Sequence, residues 1–422
     1  LMTTERLQMI DLCIPFNKSI RDAVTLMDKN TLGVVFVVDE SYLLGVVSDG
    51  DFRRAILKGT HDLDEDVVSI MNTSPSTLPV GAGADETYAA LVKGVKSGKK
   101  VFPRVDATGY IHDFSYSEDW GLLPIAEPEL GGREAVYLMQ CLQQNWISSG
   151  GPFVREFEEA FASYTGLQNP VAVSNGTVAL TLALQSLGLT PGAEVIVPTL
   201  TFAATANAVV AAGGVPVFAD CDNETWGLSP KTIEPLINVK TEAIIPVHLY
   251  GSPCDIQGLH SIAREHGLYV VEDCAEAIGT ICGENHAGVN SDAATFSFFG
   301  NKTLTTGEGG MTFFSNPEVA ERARVIRDHG MSKSRKYWHL VVGGNYRLTN
   351  LQAAIGLGQV ERAEEIVAAK KQVASLYAQK LQGFSDVKMM PKSRFGESSF
   401  WLVAVSLPAF AAAKREVLME AL

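Results

Sequence analysis

The segment VAVSNGTVALTLALQSL, residues 171–187, decides the fold class. It starts with the β-branched run VAVS, turns at Asn175-Gly176-Thr177 and continues as a helical pattern. Helical segments separate the strand-like runs that follow, which are EVIVP, VPVFAD, AIIPV, LYVVED and TFSFF. This alternation predicts an α/β domain with a mostly parallel sheet.

Composition limits the classes of protein that the chain can belong to. Of its 422 residues, 46% are hydrophobic and 19% are charged, a balance typical of folded proteins. A net charge of -14 disfavours nucleic acid and anionic membranes as partners. The six cysteines include no C-x-x-C pair, which disfavours a zinc ribbon or a disulfide framework. With no signal-peptide pattern and no bilayer-length apolar run, we expect a cytoplasmic protein.

The first 120 residues contain two similar units, at about residues 5–60 and 65–116. Each combines helical segments with two β-rich segments, VVFVVDE and LLGVVSD in the first unit and parts of KKVFPRVDATGYIHDF in the second. The segment SEDWGLLPIAEPE indicates a linker. We therefore place a large domain at residues 121–375 and the start of a smaller domain at 376–422. Because the chain stops within the helical pattern FAAAKREVLMEAL, we expect the smaller domain to be truncated.

The turn at residues 175–177 is a candidate phosphate site. A glycine and a hydroxyl at a helix N-terminus combine free backbone N–H groups with the positive end of the helix dipole. An ordinary capped helix, with Asn175 or Thr177 as the cap, is the commoner explanation of the same residues. Taken alone, the turn favours the cap.

An acid and a lysine follow later strands. Asp273 ends LYVVED, where an acid can pair with a protonated heterocycle nitrogen or act as a helix cap. Lys302 lies in SFFGNKTLTTGEGG, where a lysine of lowered pKa can form a Schiff base, although most loop lysines are simply exposed. A phosphate cradle, an acid and a lysine on one sheet together predict pyridoxal phosphate as the cofactor.

The same segments resemble the DegT-type nucleotide-sugar aminotransferases, a branch of the aspartate-aminotransferase fold. The resemblance covers roughly residues 123–422 and rests on NWISSGGPFVREFE, VSNGTVALTLAL, PTLTFAATANAV, VEDCAEAIG, FSFFGNKTLTTGEGGM and GNYRLTNLQAAIGLGQ. Within the family, FFGNKTLTTGEGGM most resembles the perosamine-synthase-type enzymes. The resemblance implies a type I pyridoxal-phosphate fold that aminates a GDP-linked 4-keto-6-deoxyhexose resembling 4-keto-6-deoxymannose. It also implies glutamate as amino donor, a homodimer with shared active sites and a place in surface polysaccharide or glycan biosynthesis.

The resemblance also implies roles for individual residues. Lys302 corresponds to the Schiff-base lysine and Asp273 to the partner of the pyridine nitrogen. Glu276 occupies a position near the cofactor where other members carry His or Gln. The remaining expected contacts are Gly176, Thr177 and Ser297 to the phosphate, Phe202 stacked on the ring, Asn345 to the phosphate of the neighbouring subunit, and Trp146, Ser148 and Ser149 to the sugar.

The N-terminal repeat resembles a pair of CBS modules, which sense adenine nucleotides. In GVVSDGD, Ser48 and Asp51 match the ribose- and phosphate-contacting pattern of these modules. The second unit carries Ser115 where that pattern has an aspartate. We therefore expect at most one nucleotide site in the pair, and a module that only packs or dimerises explains the repeat equally well.

Two alternatives to this transaminase remain open. One is a nucleotide-responsive regulator that retains the transferase fold, and the other is an aminotransferase for a different nucleotide sugar or for a cyclitol. The presence of Lys302 and Asp273 favours an enzyme. We predict no metal, because His248, His260, His266 and His286 are too irregularly spaced for a ligand set.

Overall fold

The computed structural model describes residues 11–59, 62–81, 101–116, 127–223, 225–407 and 415. The chain forms two compact units, residues 1–125 and 126–422. None of the helices within the described ranges has the length and apolarity that crossing a membrane requires.

The first unit contains two small sheets that repeat one topology. In the first sheet, β1 (Cys13–Pro15) is parallel to β2 (Val34–Asp39), which is antiparallel to β3 (Tyr42–Ser48). In the second sheet, β4 (Leu78–Pro79) is parallel to β5 (Val101–Val105), which is antiparallel to β6 (Ile111–Tyr116). Helices α1 (Ile20–Asn30) and α2 (Asp49–Leu57) accompany the first sheet. The segment ETYAALVKGV, the helical pattern of the second unit in the sequence, lies outside the described residues.

A seven-stranded sheet forms the centre of the second unit. Its strands are β7 (Val171–Val173), β8 (Glu194–Pro198), β9 (Val215–Ala219), β10 (Thr241–Ile244), β11 (Tyr269–Asp273), β14 (Ala293–Ser297) and β15 (Gly310–Phe314). They lie in the order β7-β15-β14-β11-β10-β8-β9. All are parallel except β15, which runs antiparallel to β14 and β7. The predicted mostly parallel α/β sheet is confirmed, and β15 is the strand that the sequence interpretation missed.

Helices and short strands complete the second unit. The helices are α3 (Glu134–Gln143), α4 (Pro152–Thr165), α5 (Gly176–Leu187), α6 (Ala204–Ala211), α7 (Pro230–Ile233), α8 (Ile256–His266), α9 (Pro317–Arg327), α10 (Asn350–Val360) and α11 (Ala363–Leu381). The short strands β12 (Ile281–Cys282), β13 (Asn285–His286) and β17 (Gly396–Glu397) form one sheet, and β16 (Lys388–Met389) pairs with β18 (Val405–Ser406). The boundary that we predicted near residue 375 falls within α11 and stays a prediction.

Helix α4 shows how aromatic spacing builds the core. The spacing of Phe153, Phe157, Phe161 and Tyr164 predicts one apolar face; the three phenylalanines are buried, and Tyr164 is partly buried. The Phe161 ring packs edge-to-face on Phe296 and Phe298 of the segment that leads to the Lys302 loop. Each buried phenylalanine contributes about 1.5–3 kcal/mol. This packing anchors the segment that carries the lysine.

Candidate active site

The predicted site residues converge on one edge of the central sheet. Asp273 is the last residue of β11, Ser297 is the last residue of β14, and α5 begins at Gly176 shortly after β7. These three strands run in the same direction, so their carboxyl ends meet at the same edge. The fold therefore places the proposed phosphate cradle, the acid and the start of the Lys302 loop together.

Asp273 is a buried and firmly oriented carboxylate. Its side-chain oxygens accept hydrogen bonds from the Thr205 hydroxyl at 2.8 Å and from the Ala275 N–H at 3.1 Å. Burial raises the pKa of Asp273, although these hydrogen bonds and the charge of Lys302 oppose the rise. A buried carboxylate with this environment is suited to a cationic partner such as a protonated ring nitrogen.

Lys302 lies between a carboxylate and an aromatic ring. Its Nζ atom is 3.8 Å from Glu276 Oε1 and 3.8 Å from the centroid of the Trp401 ring. Burial lowers the pKa of Lys302, while the charges of Glu276 and Asp273 oppose this effect. A lowered pKa increases the fraction of unprotonated amine, which is the form that attacks a carbonyl carbon.

The N-terminus of α5 is capped by a side chain, and it packs closely against the end of β14. The Asn175 side chain accepts the Val178 N–H at 2.9 Å, so Asn175 is the cap that the sequence suggested. A Cβ atom on Gly176 would lie 2.8 Å from the Ser297 Cβ, which explains why glycine is needed there. The backbone N–H groups of Gly176 and Thr177 come just before the Val178 N–H that Asn175 caps. They lie at the positive end of the helix dipole. With the buried acid and lysine, this cradle fits pyridoxal phosphate.

Phe202 and Asn345 occupy open positions in the described structure. Phe202 is 75% exposed just before α6. Asn345 is exposed and accepts a hydrogen bond from Arg347 Nε at 2.9 Å, while Arg347 also pairs with Asp328. Their predicted contacts with the ring and with the neighbouring subunit's phosphate therefore stay predictions.

The loop expected to contact the sugar is held by one buried side chain. Asn350 donates its amide to the Trp146 carbonyl at 2.8 Å and its backbone N–H to the Ser148 carbonyl at 3.1 Å. Trp146 is about half exposed, Ser148 is exposed and Ser149 is partly buried. The loop is thus fixed at its backbone, and its predicted role in sugar binding stays a prediction.

In the first unit, Ser48 and Asp51 are the capping box of α2. The Ser48 hydroxyl donates to Asp51 Oδ2 at 2.6 Å, and the Asp51 N–H donates back to the Ser48 oxygen at 3.4 Å. Arg54 Nη2 contacts the other Asp51 oxygen. Ser115 is buried and accepts a hydrogen bond from Arg104 Nε at 2.8 Å. The proposed nucleotide role of Ser48 and Asp51 stays a prediction.

Three contacts near the lysine were missed by the sequence interpretation. The Thr205 hydroxyl binds Asp273, Trp401 covers Lys302, and the Tyr250 N–H donates to Glu276 at 2.7 Å. Thr205 lies in the first turn of α6, within the quoted segment PTLTFAATANAV, and this position was a usable signal. Trp401 lies far along the chain in a segment without a recognisable pattern, so only the fold brings it to the lysine.

A buried polar cluster supports β11 behind the site. His248 Nε2 lies 2.7 Å from Glu272 Oε2, and the Cys254 N–H donates to His248 Nδ1 at 3.2 Å. Nδ1 therefore accepts, which places the imidazole proton on Nε2 as a donor to Glu272. The ligand atoms of His248, Glu272 and Cys282 lie within 4.8 Å of one another, but this tautomer makes the set a hydrogen-bonded core cluster.

Glu272 is the anion at the centre of this cluster. The Gly288 N–H donates to its Oε2 atom at 2.9 Å, and the Ser291 hydroxyl donates to its Oε1 atom. Burial alone would raise the pKa of Glu272, but the hydrogen bonds from His248, Ser291 and Gly288 outweigh it and lower the pKa. Since Glu272 adjoins Asp273 on β11, the cluster fixes the strand end that carries the site acid.

The sheet, the buried acid and the lysine of lowered pKa define a pyridoxal-phosphate enzyme of fold type I. The chain belongs to the DegT/DnrJ/EryC1/StrS aminotransferase family, whose profile matches residues 128–422. It is therefore a pyridoxal-phosphate-dependent sugar aminotransferase. A CBS domain profile matches residues 2–58, so a CBS domain precedes the enzyme.

Characterised relatives agree with this assignment. The chain is 46% identical to GDP-perosamine synthase of Caulobacter vibrioides, over 68% of this chain and 77% of that protein. It is 44% identical to GDP-perosamine synthase of Escherichia coli O157:H7, over 67% of this chain and 77% of that protein. The solved structure of DesI with its TDP-sugar product matches with a TM-score of 0.66 and 32% identity, covering 71% of this chain and 76% of DesI.

Proposed function

We propose that this enzyme transfers an amino group from glutamate to the 4-keto carbon of a GDP-linked 4-keto-6-deoxyhexose resembling 4-keto-6-deoxymannose. The observation that carries the chemistry is that the buried Asp273 and the largely shielded Lys302, 13% exposed, lie at one sheet edge. The choice of substrate is supported by the similarity to two GDP-perosamine synthases. The aminated sugar then serves surface polysaccharide or glycan biosynthesis in the cytoplasm.

Each site residue has a distinct part in this proposal. Pyridoxal phosphate, when bound, supplies an electron-accepting ring. Asp273 would hold a proton on the ring nitrogen, and the Gly176 and Thr177 N–H groups would orient the phosphate together with the Ser297 hydroxyl. Lys302 would hold the cofactor through its unprotonated amine. The same amine would move a proton at the reacting carbon of glutamate and, in the reverse direction, of the ketosugar.

We also propose that the protein works as a homodimer and that the CBS domain binds an adenine nucleotide. A dimer is supported by large exposed side chains of the second unit, among them Phe202, Trp146, Tyr337 and Trp338. In the dimer, Asn345 would contact the phosphate of the neighbouring subunit. Ser48 and Asp51, at the N-terminus of α2, would contact the nucleotide.

Substrate trials test the proposed reaction. Protein supplied with pyridoxal phosphate and glutamate is given a GDP-linked 4-keto-6-deoxyhexose, a TDP-linked 4-ketosugar or a keto-cyclitol. We expect an aminated GDP-sugar and 2-oxoglutarate in equal amounts, and neither product from the Lys302→Ala variant. Amination of the TDP-sugar or the cyclitol instead would contradict the proposed GDP-sugar substrate and identify that compound as the substrate. Tight cofactor binding without any amination would favour the regulatory alternative.

A further inference from the structure

Glu276 presents one fixed oxygen and one oxygen that faces the lysine. Its Oε2 atom accepts the Tyr250 N–H at 2.7 Å, which holds the carboxylate in place. Its Oε1 atom lies 3.8 Å from Lys302 Nζ, and the two side chains are only 11% and 13% exposed. Rotation about the lysine side chain would shorten this separation to a hydrogen bond. The pair is thus shielded from water and aligned.

The other neighbours of the lysine leave Glu276 as the available proton acceptor. Trp401 covers Nζ with its ring and is held by a hydrogen bond from its Nε1 to the Asn301 carbonyl at 2.7 Å. Both side-chain oxygens of Asp273 already accept hydrogen bonds, from Thr205 and Ala275. The acidic groups that act on Lys302 are Asp273 and Glu276, and of these Glu276 directs an oxygen at the amine.

We propose that Glu276 is the proton partner of Lys302, an inference that rests on the role proposed above for this lysine. The lysine ammonium gives a proton to Glu276 Oε1, leaving a neutral amine and a carboxylic acid. The reverse transfer restores the ammonium and the carboxylate. Glu276 thereby prepares the amine for attack without requiring water to enter the site.

The surroundings bring the proton affinities of the two groups closer together. Burial raises the pKa of Glu276, although the charge of Lys302 opposes this rise. Burial also lowers the pKa of Lys302, although the charges of Glu276 and Asp273 oppose this fall. In water an ammonium and a carboxylate differ widely in pKa, and this difference keeps the proton on the amine. The smaller difference inside the site makes transfer over a short distance easier.

The reactivity of Lys302 in the cofactor-free protein tests this pairing directly. An amine-acylating reagent is applied over a range of pH, and modification of the Lys302 peptide is measured by mass spectrometry. Because only the neutral amine reacts, the pH at which acylation is half-maximal, the acylation midpoint, reports the pKa of Lys302. We expect Glu276→Gln to lower this midpoint by about one pH unit or more, since a nearby opposite charge is lost. The exposed Glu284→Gln serves as the matched control and leaves it unchanged.

A second measurement distinguishes proton transfer from a structural role. In the enzyme saturated with cofactor, we expect Glu276→Gln to slow the glutamate half-reaction about a hundredfold. Glu276→Asp keeps the charge and should restore part of the rate. An unchanged acylation midpoint and an unchanged half-reaction rate in Glu276→Gln would overturn the pairing. If the cofactor is attached to a different lysine, the proposed function fails. The acylation midpoint of Lys302 still tests whether Glu276 and Lys302 interact.

Discussion

Thr205 donates its hydroxyl to Asp273 Oδ2 at 2.8 Å, from a helix that follows a different strand of the sheet. The Ala275 N–H holds the other oxygen, so the carboxylate cannot rotate without losing a hydrogen bond. The Thr201 hydroxyl lies 2.8 Å from that of Thr205 and extends the network. Asp273 is therefore oriented before any ligand arrives, which is the arrangement that favours electrostatic catalysis.

Replacing Thr205 by valine removes this donor while keeping a similar shape. Hydrogen bonds to charged groups contribute about 1.5–3 kcal/mol, so we expect kcat to fall about ten- to a hundredfold. Since the bond opposes the rise in the pKa of Asp273, its loss raises that pKa further and moves the acid limb of the pH profile to higher pH. Thr201→Val, which does not touch Asp273 directly, should have a smaller effect. Equal losses in the two variants would contradict this assignment.

Gly176→Ala tests the phosphate cradle. The added Cβ would lie 2.8 Å from the Ser297 Cβ and 3.1 Å from its hydroxyl oxygen. Overpacking of this kind costs about 1–3 kcal/mol, so we expect clearly weaker binding of pyridoxal phosphate in equilibrium titrations. Gly383→Ala is the control, because a Cβ at that position meets no atom within 4 Å. Unchanged cofactor affinity in Gly176→Ala would place the phosphate elsewhere.

The alternation of strands and helices was readable because parallel strands buried on both faces leave continuous apolar runs. All six strands that the sequence predicted in the central sheet are present, with small differences at their ends. The strand β15 was missed because the glycine-rich segment GEGG, which leads into it and ends at its first residue, looks like a loop. Only pairing with β14 and β7 makes this segment a strand, and pairing is a property of the whole sheet.

The candidate site was predictable to the extent that its residues directly follow strands. Asp273 and Ser297 end their strands and Gly176 follows one closely, so all three lie where the sequence suggested a site. Trp401 does not, since it reaches Lys302 from a distant segment without regular structure. The buried pairing of His248 with Glu272 was also beyond the sequence, where an irregular spacing of histidines indicated no particular partner.

The His248–Glu272 pair makes a prediction about stability. A hydrogen bond to a charged group contributes about 1.5–3 kcal/mol, so His248→Ala should lower the free energy of unfolding by at least this amount. The lowered pKa of Glu272 in the folded state means that its contribution is present above its ordinary pKa and is lost as the pH falls. In His248→Ala the folded-state pKa of Glu272 rises, so the deficit should shrink on acidification.

Urea unfolding at neutral and mildly acidic pH measures both effects. His266→Ala is a suitable control, because that histidine is exposed at the end of α8. A loss of stability in His248→Ala no larger than in this control would show that the buried pair contributes little.

The CBS domain offers a matched pair of caps. Ser48 and Ser19 each begin a helix with a capping box, so alanine at either position should cost about 0.5–2 kcal/mol. The nucleotide proposal adds that only Ser48→Ala weakens adenine nucleotide binding. Calorimetric titration of both variants checks this, and equal binding in the two would leave Ser48 with its capping role alone.

The most direct measurement locates the amine that carries the cofactor. The loaded enzyme is reduced with borohydride, which fixes pyridoxal phosphate on its lysine, and the labelled peptide is identified by mass spectrometry. We predict that the label lies on Lys302 in the wild type and is absent from the Lys302→Ala variant. A label on another lysine, or labelling that persists in the variant, would contradict the central claim that Lys302 is the cofactor-binding lysine of this enzyme.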